Sequence, residues 1–300
     1  MRVFITGGTG FIGAHIIDKL LVSNNTYQIL ALTRQIGELC QSSKCIKWLE
    51  ADLGNTELIT QQLVEFNPEI VIHLAWQDIP DFSPHSCLNN LNQTMQLFQA
   101  LWKTNSCKKI LIPGSCFEYN SKKGICLESR FQEPKDFFTW AKLSIFNYLL
   151  LETQLRNITL GWFRLFYVYG PNQRKESLIP SVINSIKQGV IPSINTPKNA
   201  NDLIYVKDIA EFFEMSIHKN FDSGIYNLGS GTATPVIDIC GIIENLISSS
   251  TYLTEQLQEQ TKATSQDVDF SASTDLTSKI FDWKSSTPLQ NGIQSMLDHI

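Results

Sequence analysis

Apolar and polar positions along the first 165 residues keep switching between two rhythms. Short apolar runs at 3–5, 27–32, 46–50, 70–74, 109–113 and 159–165 have the length and composition of buried strands. Between them the apolar positions recur at helical spacing. Ile12, Ile16, Ile17, Leu20 and Leu21 mark a first helix, and 56–66 a second that Pro68 closes. A long helix at 88–102 has apolar positions 88, 91, 95, 98 and 101, and another spans 136–156. Unbroken alternation of strand and helix implies a parallel sheet covered on both faces, an α/β fold.

Beyond residue 165 the rhythm loosens. Tyr169-Gly170-Pro171 reads as a turn, 178–188 as a helix and 195–201 as a polar loop. A strand at 203–206 is expected to return to the first lobe and lead into a helix at 208–218, with a further strand at 224–228. Helices near 235–248 and 289–298 complete the chain, and the Ser-, Thr- and Gln-rich stretch 248–267 reads as a solvated segment. Two lobes follow. Residues 1–165, with a return segment near 203–228, make a dinucleotide-binding domain, while 166–202 and 229–300 make a smaller C-terminal α/β lobe for the substrate.

The chemistry begins where the first strand meets the first helix. Gly7-Gly8-Thr9-Gly10-Phe11-Ile12-Gly13 carries both Gly8-x-Gly10-x-x-Gly13 and the interlocking Gly7-x-x-Gly10-x-x-Gly13. Glycines here let the backbone turn sharply and approach a pyrophosphate, which the free amides of the helix start can hold. Placed after a strand and before an amphipathic helix, the motif indicates a Rossmann-type doubly wound sheet that binds a dinucleotide. The second strand ends in Thr33-Arg34, where an adenine ribose would lie. Arg34 tilts the cofactor toward NADP over NAD, because a guanidinium can pair with a 2′-phosphate; a solvated strand-end arginine is the alternative. Asp52 and Leu53 after the third strand are placed to contact adenine. His73-Leu74-Ala75-Trp76 closes the fourth strand at the sheet's carboxyl edge, where ligands bind, and His73 is read as a packed residue and not a catalyst.

Composition narrows the partners. The net charge of −5 gives no general affinity for nucleic acid or anionic membrane, and no apolar run has the length to span a bilayer. Seven cysteines, odd in number and without a Cys-x-x-Cys pair, favour reduced thiols. With a strand and glycine loop opening the chain and no room for a signal peptide, a cytoplasmic location is expected. Five scattered histidines show no metal-ligand spacing, and no metal is expected.

Seven ordered segments resemble the extended short-chain dehydrogenase/reductase family, in its sugar-nucleotide epimerase/dehydratase branch. They are the glycine run 6–13; Ile72-His73-Leu74-Ala75; Asn90 with Thr94; Gly114-Ser115-Cys116-Phe117-Glu118-Tyr119; 164–171; 202–208; and Tyr226-Asn227-Leu228-Gly229-Ser230-Gly231. The resemblance implies an NAD(P)-dependent epimerase or ketoreductase acting on a sugar or nucleotide sugar, and a homodimer built through helices 88–102 and 136–156. It implies a Tyr and a Lys four residues apart on one helical face. The ammonium lowers the phenol pKa so that the phenolate can take a sugar hydroxyl proton, while a Ser or Thr orients the same oxygen. Ser115 and Lys142 fit two of these roles. The Tyr position is Phe138. Together these readings put Gly7, Gly10, Phe11, Ile12, Gly13, Arg34, Asp52, Leu53, Leu74, Ala75, Trp76, Lys142 and Leu165 on the cofactor. Cys116, Tyr167 and Asn201 fall to the substrate.

Further departures bear on the substrate. Dehydratases of the branch place Asp-Glu after the catalytic hydroxyl residue; Cys116 and Phe117 stand there, which speaks against 4,6-dehydration. Asn201 replaces one diphosphate-clamping Arg, a second finds no counterpart in 263–270, and Tyr167 replaces the usual Asn. Arg174 or Lys198 could supply charge from elsewhere. Three readings stand: an enzyme as described; a non-catalytic NAD(P)-binding regulator or partner subunit; and an enzyme whose proton donor has moved to Cys116, Glu118, Tyr119, Tyr167 or Lys142.

Overall fold

The computed structural model describes residues 1–23, 26–37, 40, 43–120, 123–130, 133–260 and 268–299. In chain order the strands are β1 (Arg2–Thr6), β2 (Gln28–Thr33), β3 (Ile46–Glu50), β4 (Ile70–His73), β5 (Lys109–Ser115), β6 (Lys123–Cys126), β7 (Thr159–Leu165), β8 (Tyr167–Tyr169), β9 (Ala200–Tyr205), β10 (Gly224–Leu228), β11 (Ala233–Pro235) and β12 (Asp269–Ala272). The helices are α1 (Phe11–Val22), α2 (Thr56–Phe66), α3 (Pro84–Leu101), α4 (Phe137–Arg156), α5 (Leu178–Lys187), α6 (Val206–His218), α7 (Val236–Ser248), α8 (Tyr252–Gln260), α9 (Asp275–Phe281) and α10 (Leu289–Leu297).

The apolar runs of the first half pair into a seven-stranded sheet, ordered β10-β7-β5-β4-β1-β2-β3. Its ladders from β3 through β2, β1 and β4 to β5 are all parallel. Val3, Phe4 and Ile5 are at most 1% exposed, as a strand covered on both faces requires. Because β1 lies between β2 and β4, the chain leaves it to one side and later returns on the other. That reversal opens a crevice at the carboxyl ends of β1 and β4.

Helix ends are set by side chains. Asn55 accepts from the Leu58 amide at the start of α2, and Asn67, at φ 50, closes that helix in the left-handed region. At the start of α4 the Asp136 carboxylate accepts from the Thr139 amide while the Thr139 hydroxyl accepts from the Asp136 amide. This reciprocal cap fixes the first turn, and with it Phe138 and Lys142.

Two units emerge. The first comprises Met1–Asn120, Phe131–Arg164 and Ala210–Tyr226, and the second Ser121–Arg130, Leu165–Ile209 and Asn227–Ile300. The second holds its own sheet, ordered β11-β9-β12-β6, with β8 pairing β9. This differs from expectation in one respect. The segment 203–206, expected to return to the first lobe, lies instead within β9 and the start of α6, and β9 pairs with β11, β12 and β8. The return to the first unit begins only at Ala210. The polar loop 195–201 likewise gives up its last two residues to β9.

The stretch 248–267, expected to be solvated, contains α8. Its Thr254 and Leu257 are buried, and the Glu244 carboxylate of α7 accepts from the Leu253 and Thr254 amides and the Thr254 hydroxyl. A carboxylate at a helix start satisfies orphan amides, so a polar sequence holds a helix there. Residues 261–267 lie outside the described residues, and with them most of the stretch that lacks the second arginine.

Candidate functional site

The glycine run makes a cradle by exclusion. Gly7 sits at φ +71, and a Cβ added there would lie 2.9 Å from the Ala75 amide nitrogen and 3.0 Å from the Leu74 carbonyl carbon. Only glycine lets the β1 turn press against the β4 turn in this way. A Cβ on Gly13 would overlap the Gly7 carbonyl oxygen, which the Gly10 amide engages at 3.0 Å. No side chain caps α1, whose cap residue is Gly10, and the first intrahelical bond runs from the Ala14 amide to the Gly10 carbonyl. The amides of Phe11, Ile12 and Gly13 therefore remain for an external acceptor.

Around the cradle the predicted cofactor positions assemble. Thr9 Oγ1 lies 3.0 Å from Thr33 Oγ1, tying the loop to the end of β2. Arg34 follows, exposed. The Asp52 carboxylate accepts from the Gly54 amide at 2.8 Å, Gln77 Nε2 at 2.8 Å and Gln93 Nε2 at 3.3 Å, while Leu53 is buried. Gln77 and Gln93 escaped sequence reasoning; for Gln93 a polar position on the buried face of α3 was the available signal, while Gln77 lies in the loop after β4. His73 is packed, as expected: it is 4% exposed, with Nδ1 2.7 Å from Thr6 Oγ1 and Nε2 3.1 Å from Thr94 Oγ1. Burial, aided by the charge of Lys142, pulls its pKa down to about 3. The Thr6 hydroxyl also accepts from the Ala75 amide at 3.2 Å, so the histidine network holds the β4 turn beside the cradle.

At the carboxyl end of β5, Ser115 Oγ accepts from the Phe117 amide at 3.1 Å, and its own amide donates to Glu118 Oε1 at 2.8 Å. These two bonds cap a single 3₁₀ turn, Cys116–Glu118. Lys142 of α4 donates to the Pro113 carbonyl at 3.1 Å, one strand repeat before Ser115. Its ammonium lies 4.4 Å from the centroid of the Trp76 ring, 5.9 Å from Phe138 and 6.0 Å from Trp162. Burial pulls the Lys142 pKa down to about 8, against the raising effect of the Glu118 carboxylate.

Phe138 is 9% exposed and surrounded by rings. Trp76 meets it edge-on at 5.2 Å, Phe117 edge-on at 6.4 Å, and Phe82 at a tilt at 4.7 Å. Sequence reasoning registered the missing phenol but not this cluster, because Trp76, Phe82 and Phe117 are brought together only by the fold. The structure also sorts the proposed replacement donors. Glu118, 1% exposed, is held by Arg164 Nε at 2.7 Å and by Trp162 Nε1 at 3.1 Å. Tyr119 is fully buried beneath the Arg164 guanidinium, 4.6 Å away, and Cys116 is 3% exposed.

The remaining candidates belong to the second unit. Leu165 is buried at the end of β7. Tyr167 of β8 is half-buried, its ring 6.1 Å from Phe270. Asn201 is half-buried in β9, opposite Thr234 of β11 and Phe270 of β12. Beside it Asp202, fully buried, accepts from the Ser230 amide and hydroxyl and from the Gly231 and Ala272 amides. No helix among the described residues is long and apolar enough to cross a membrane.

Comparison with known proteins gives a consistent picture. Residues 3–229 match the NAD dependent epimerase/dehydratase family. The trifunctional UDP-glucose 4,6-dehydratase/UDP-4-keto-6-deoxy-D-glucose 3,5-epimerase/UDP-4-keto-L-rhamnose-reductase of Arabidopsis thaliana is 24% identical over 263 residues, which is 82% of this chain but only 39% of that protein. The dTDP-4-dehydro-6-deoxyglucose reductase of Escherichia coli is 26% identical over 259 residues, 81% of this chain and 80% of that one. In fold, the chain superimposes on the dTDP-glucose 4,6-dehydratase of Bacillus anthracis, solved in complex with NAD, at a TM-score of 0.85. That pair shares 21% identity over 100% of this chain and 96% of the other.

Proposed function

The chain belongs to the NAD dependent epimerase/dehydratase family, and from that premise we propose that it is a nicotinamide-dependent ketoreductase or epimerase of a nucleotide-linked sugar. The observation that carries this is the cradle of Gly7 and Gly13, where any side chain would collide with backbone and where the amides of Phe11, Ile12 and Gly13 lack partners. A dinucleotide fits there, its diphosphate on those amides and its adenine end between Arg34 and Asp52. When bound, the nicotinamide supplies the hydride acceptor or donor. Arg34, exposed beyond β2, supports NADP over NAD. Ser115 keeps its hydroxyl proton to donate to a substrate oxygen, since its Oγ already accepts from the Phe117 amide. Lys142 holds positive charge at the same strand end. Reduction is favoured over 4,6-dehydration: the turn after Ser115 offers the buried thiol of Cys116 and the ring of Phe117, with no acid–base pair.

Isothermal calorimetry with NADPH and NADH tests the cofactor half. Micromolar binding of either supports it, and no heat at millimolar concentration of both refutes it. A second reading, a cofactor-binding regulator without turnover, draws on Phe138, which has no oxygen to exchange a proton. It is favoured if NADPH binds and no keto sugar nucleotide is reduced.

A further inference from the structure

Reduction of a ketone needs a proton at the oxygen as well as a hydride at the carbon, and Phe138 cannot give one. The groups near the carboxyl end of β5 can be taken in turn. Glu118 is committed to Arg164, Trp162 and the Ser115 amide. Tyr119 is fully buried under the Arg164 guanidinium. Cys116 is 3% exposed, and His73 spends both ring nitrogens on Thr6 and Thr94. Lys142 differs from all of these. It is half-buried, and its ammonium donates to one carbonyl, that of Pro113, while lying against the face of Trp76 and within 6.0 Å of the Phe138 and Trp162 centroids. Aromatic faces attract a cation but accept no conventional hydrogen bond, so N–H protons remain for an incoming oxygen.

We propose that Lys142 itself passes the proton to and from the substrate oxygen, in the place where relatives of the resembled branch use a tyrosine; this rests on the nicotinamide-dependent reading above. In the reducing direction the carbonyl carbon gains hydride from the reduced nicotinamide. The carbonyl oxygen takes a proton from the Lys142 ammonium, so that one N–H bond breaks and one O–H bond forms. The neutral amine then regains a proton from water. In the oxidising direction the amine takes the hydroxyl proton while hydride leaves the carbon for the oxidised nicotinamide. Ser115 shares the oxygen by donating its hydroxyl proton in a hydrogen bond. The charged and titratable groups facing Lys142 are Glu118, which holds it protonated, and His73, which is neutral; Arg164 is tied to Glu118. Burial outweighs Glu118 and brings the amine to about 8, near the pH at which a lysine both gives and takes a proton.

The test combines a titration with kinetics. In the wild-type protein carrying ¹³C- and ¹⁵N-labelled lysine, the Lys142 resonance, assigned by its loss in Lys142→Arg, is expected to titrate near 8; a midpoint at the ordinary lysine value overturns the proposal without any substrate. With NADPH and dTDP-4-dehydro-6-deoxyglucose as probe, wild-type kcat/KM should fall above the same midpoint. Lys142→Arg keeps the charge but cannot release a proton. It should lower kcat at saturating NADPH by about 10²-fold or more. Adding Phe138→Tyr to that variant should recover at least about tenfold of the loss. Turnover by Lys142→Arg within about threefold of wild type overturns the proposal. Binding of NADPH with no turnover of the probe also overturns it while leaving the cofactor reading intact, whereas failure to bind NADPH refutes the cofactor reading itself.

Discussion

The His73 network makes the stability of the first unit depend on pH in a calculable way. The ring is buried between β1 and α3, and the two hydroxyls that meet it suit only the neutral form. Thr6 Oγ1 accepts from the Ala75 amide and can donate its proton to Nδ1, leaving Nε2–H to donate to Thr94. A second ring proton on Nδ1 would face a hydroxyl with nowhere to send its own proton, beside the Lys142 ammonium. The folded pKa is about 3 against an ordinary 6.5. Between those values the unfolded chain binds a proton that the folded chain refuses, so stability falls as pH drops through 6.5 and the loss is complete near 3. At about 1.4 kcal/mol per pH unit once the unfolded ring is protonated, acidification from 6.5 to 4.5 removes about 2 kcal/mol through this residue alone. Urea unfolding read by tryptophan fluorescence suits the measurement, because Trp48, Trp76, Trp102, Trp140 and Trp162 all lie in the first unit. His73→Asn should be less stable than wild type at pH 7.5 by about 1–3 kcal/mol, from lost hydrogen bonds and packing. The gap should close, and can invert, by pH 4.5. A gap that stays constant over that range, or a His73 resonance titrating near 6, refutes the reasoning.

Three further perturbations follow from the geometry. Gly13→Ala drives a methyl into the Gly7 carbonyl, so NADPH affinity should fall by about 10²-fold or more in calorimetry, and wild-type affinity would remove the cradle from the site. Arg34→Ala should weaken NADPH about tenfold and leave NADH unchanged, one exposed charge-assisted contact being worth about 1.4 kcal/mol; equal loss for both cofactors would take Arg34 off the 2′-phosphate. Asp202→Asn places an amide donor against the Ser230, Gly231 and Ala272 amides, costing about 2–4 kcal/mol and speeding hydrogen exchange at those three residues; unchanged protection would show that Asp202 does not hold β9 to its neighbours.

The first sheet was legible because its inner strands β1, β2, β4, β5 and β7 are buried over most of their length and so read as short apolar runs. Residues 46–50, 159–165 and 224–228 fall where the pattern puts them. The second sheet was not. β6 is Lys123–Cys126, four residues with a glycine and an exposed isoleucine, and its partner β12 lies far along the chain. Local pattern carries no record of such a pairing. For the same reason the strand at 203–206 was recognisable but its sheet was not, since a buried run of this kind fits either one. Within the site the glycine run was readable from spacing, whereas Ser115 and Lys142 were singled out only through the family resemblance. Partners such as Gln77 with Asp52, or Arg164 with Glu118, depend on which turns meet at the sheet's edge.

The missing phenol at 138 and the surroundings of Lys142 belong to one cluster of side chains. A phenylalanine at 138 removes the phenol, and Trp76, Phe82 and Phe117 close around the ring that replaces it. Trp76, with Phe138 and Trp162 farther off, also displaces water from the Lys142 ammonium, whose counter-charge, Glu118, is already shared with Arg164. Desolvation disfavours the charged amine, and that moves the lysine from a fixed cation toward a group that can exchange protons near neutral pH. A lone Phe-for-Tyr exchange in a wet site would subtract a catalyst and leave Lys142 with nothing to activate. Here the ring at 138 sits inside an aromatic cluster, and burial lowers the pKa of the Lys142 amine beside it. Replacing Trp76, whose ring lies 4.4 Å from the ammonium, with a small residue should therefore readmit water, return Lys142 toward an ordinary lysine in a titration of its resonance, and cost activity even with every polar group in place.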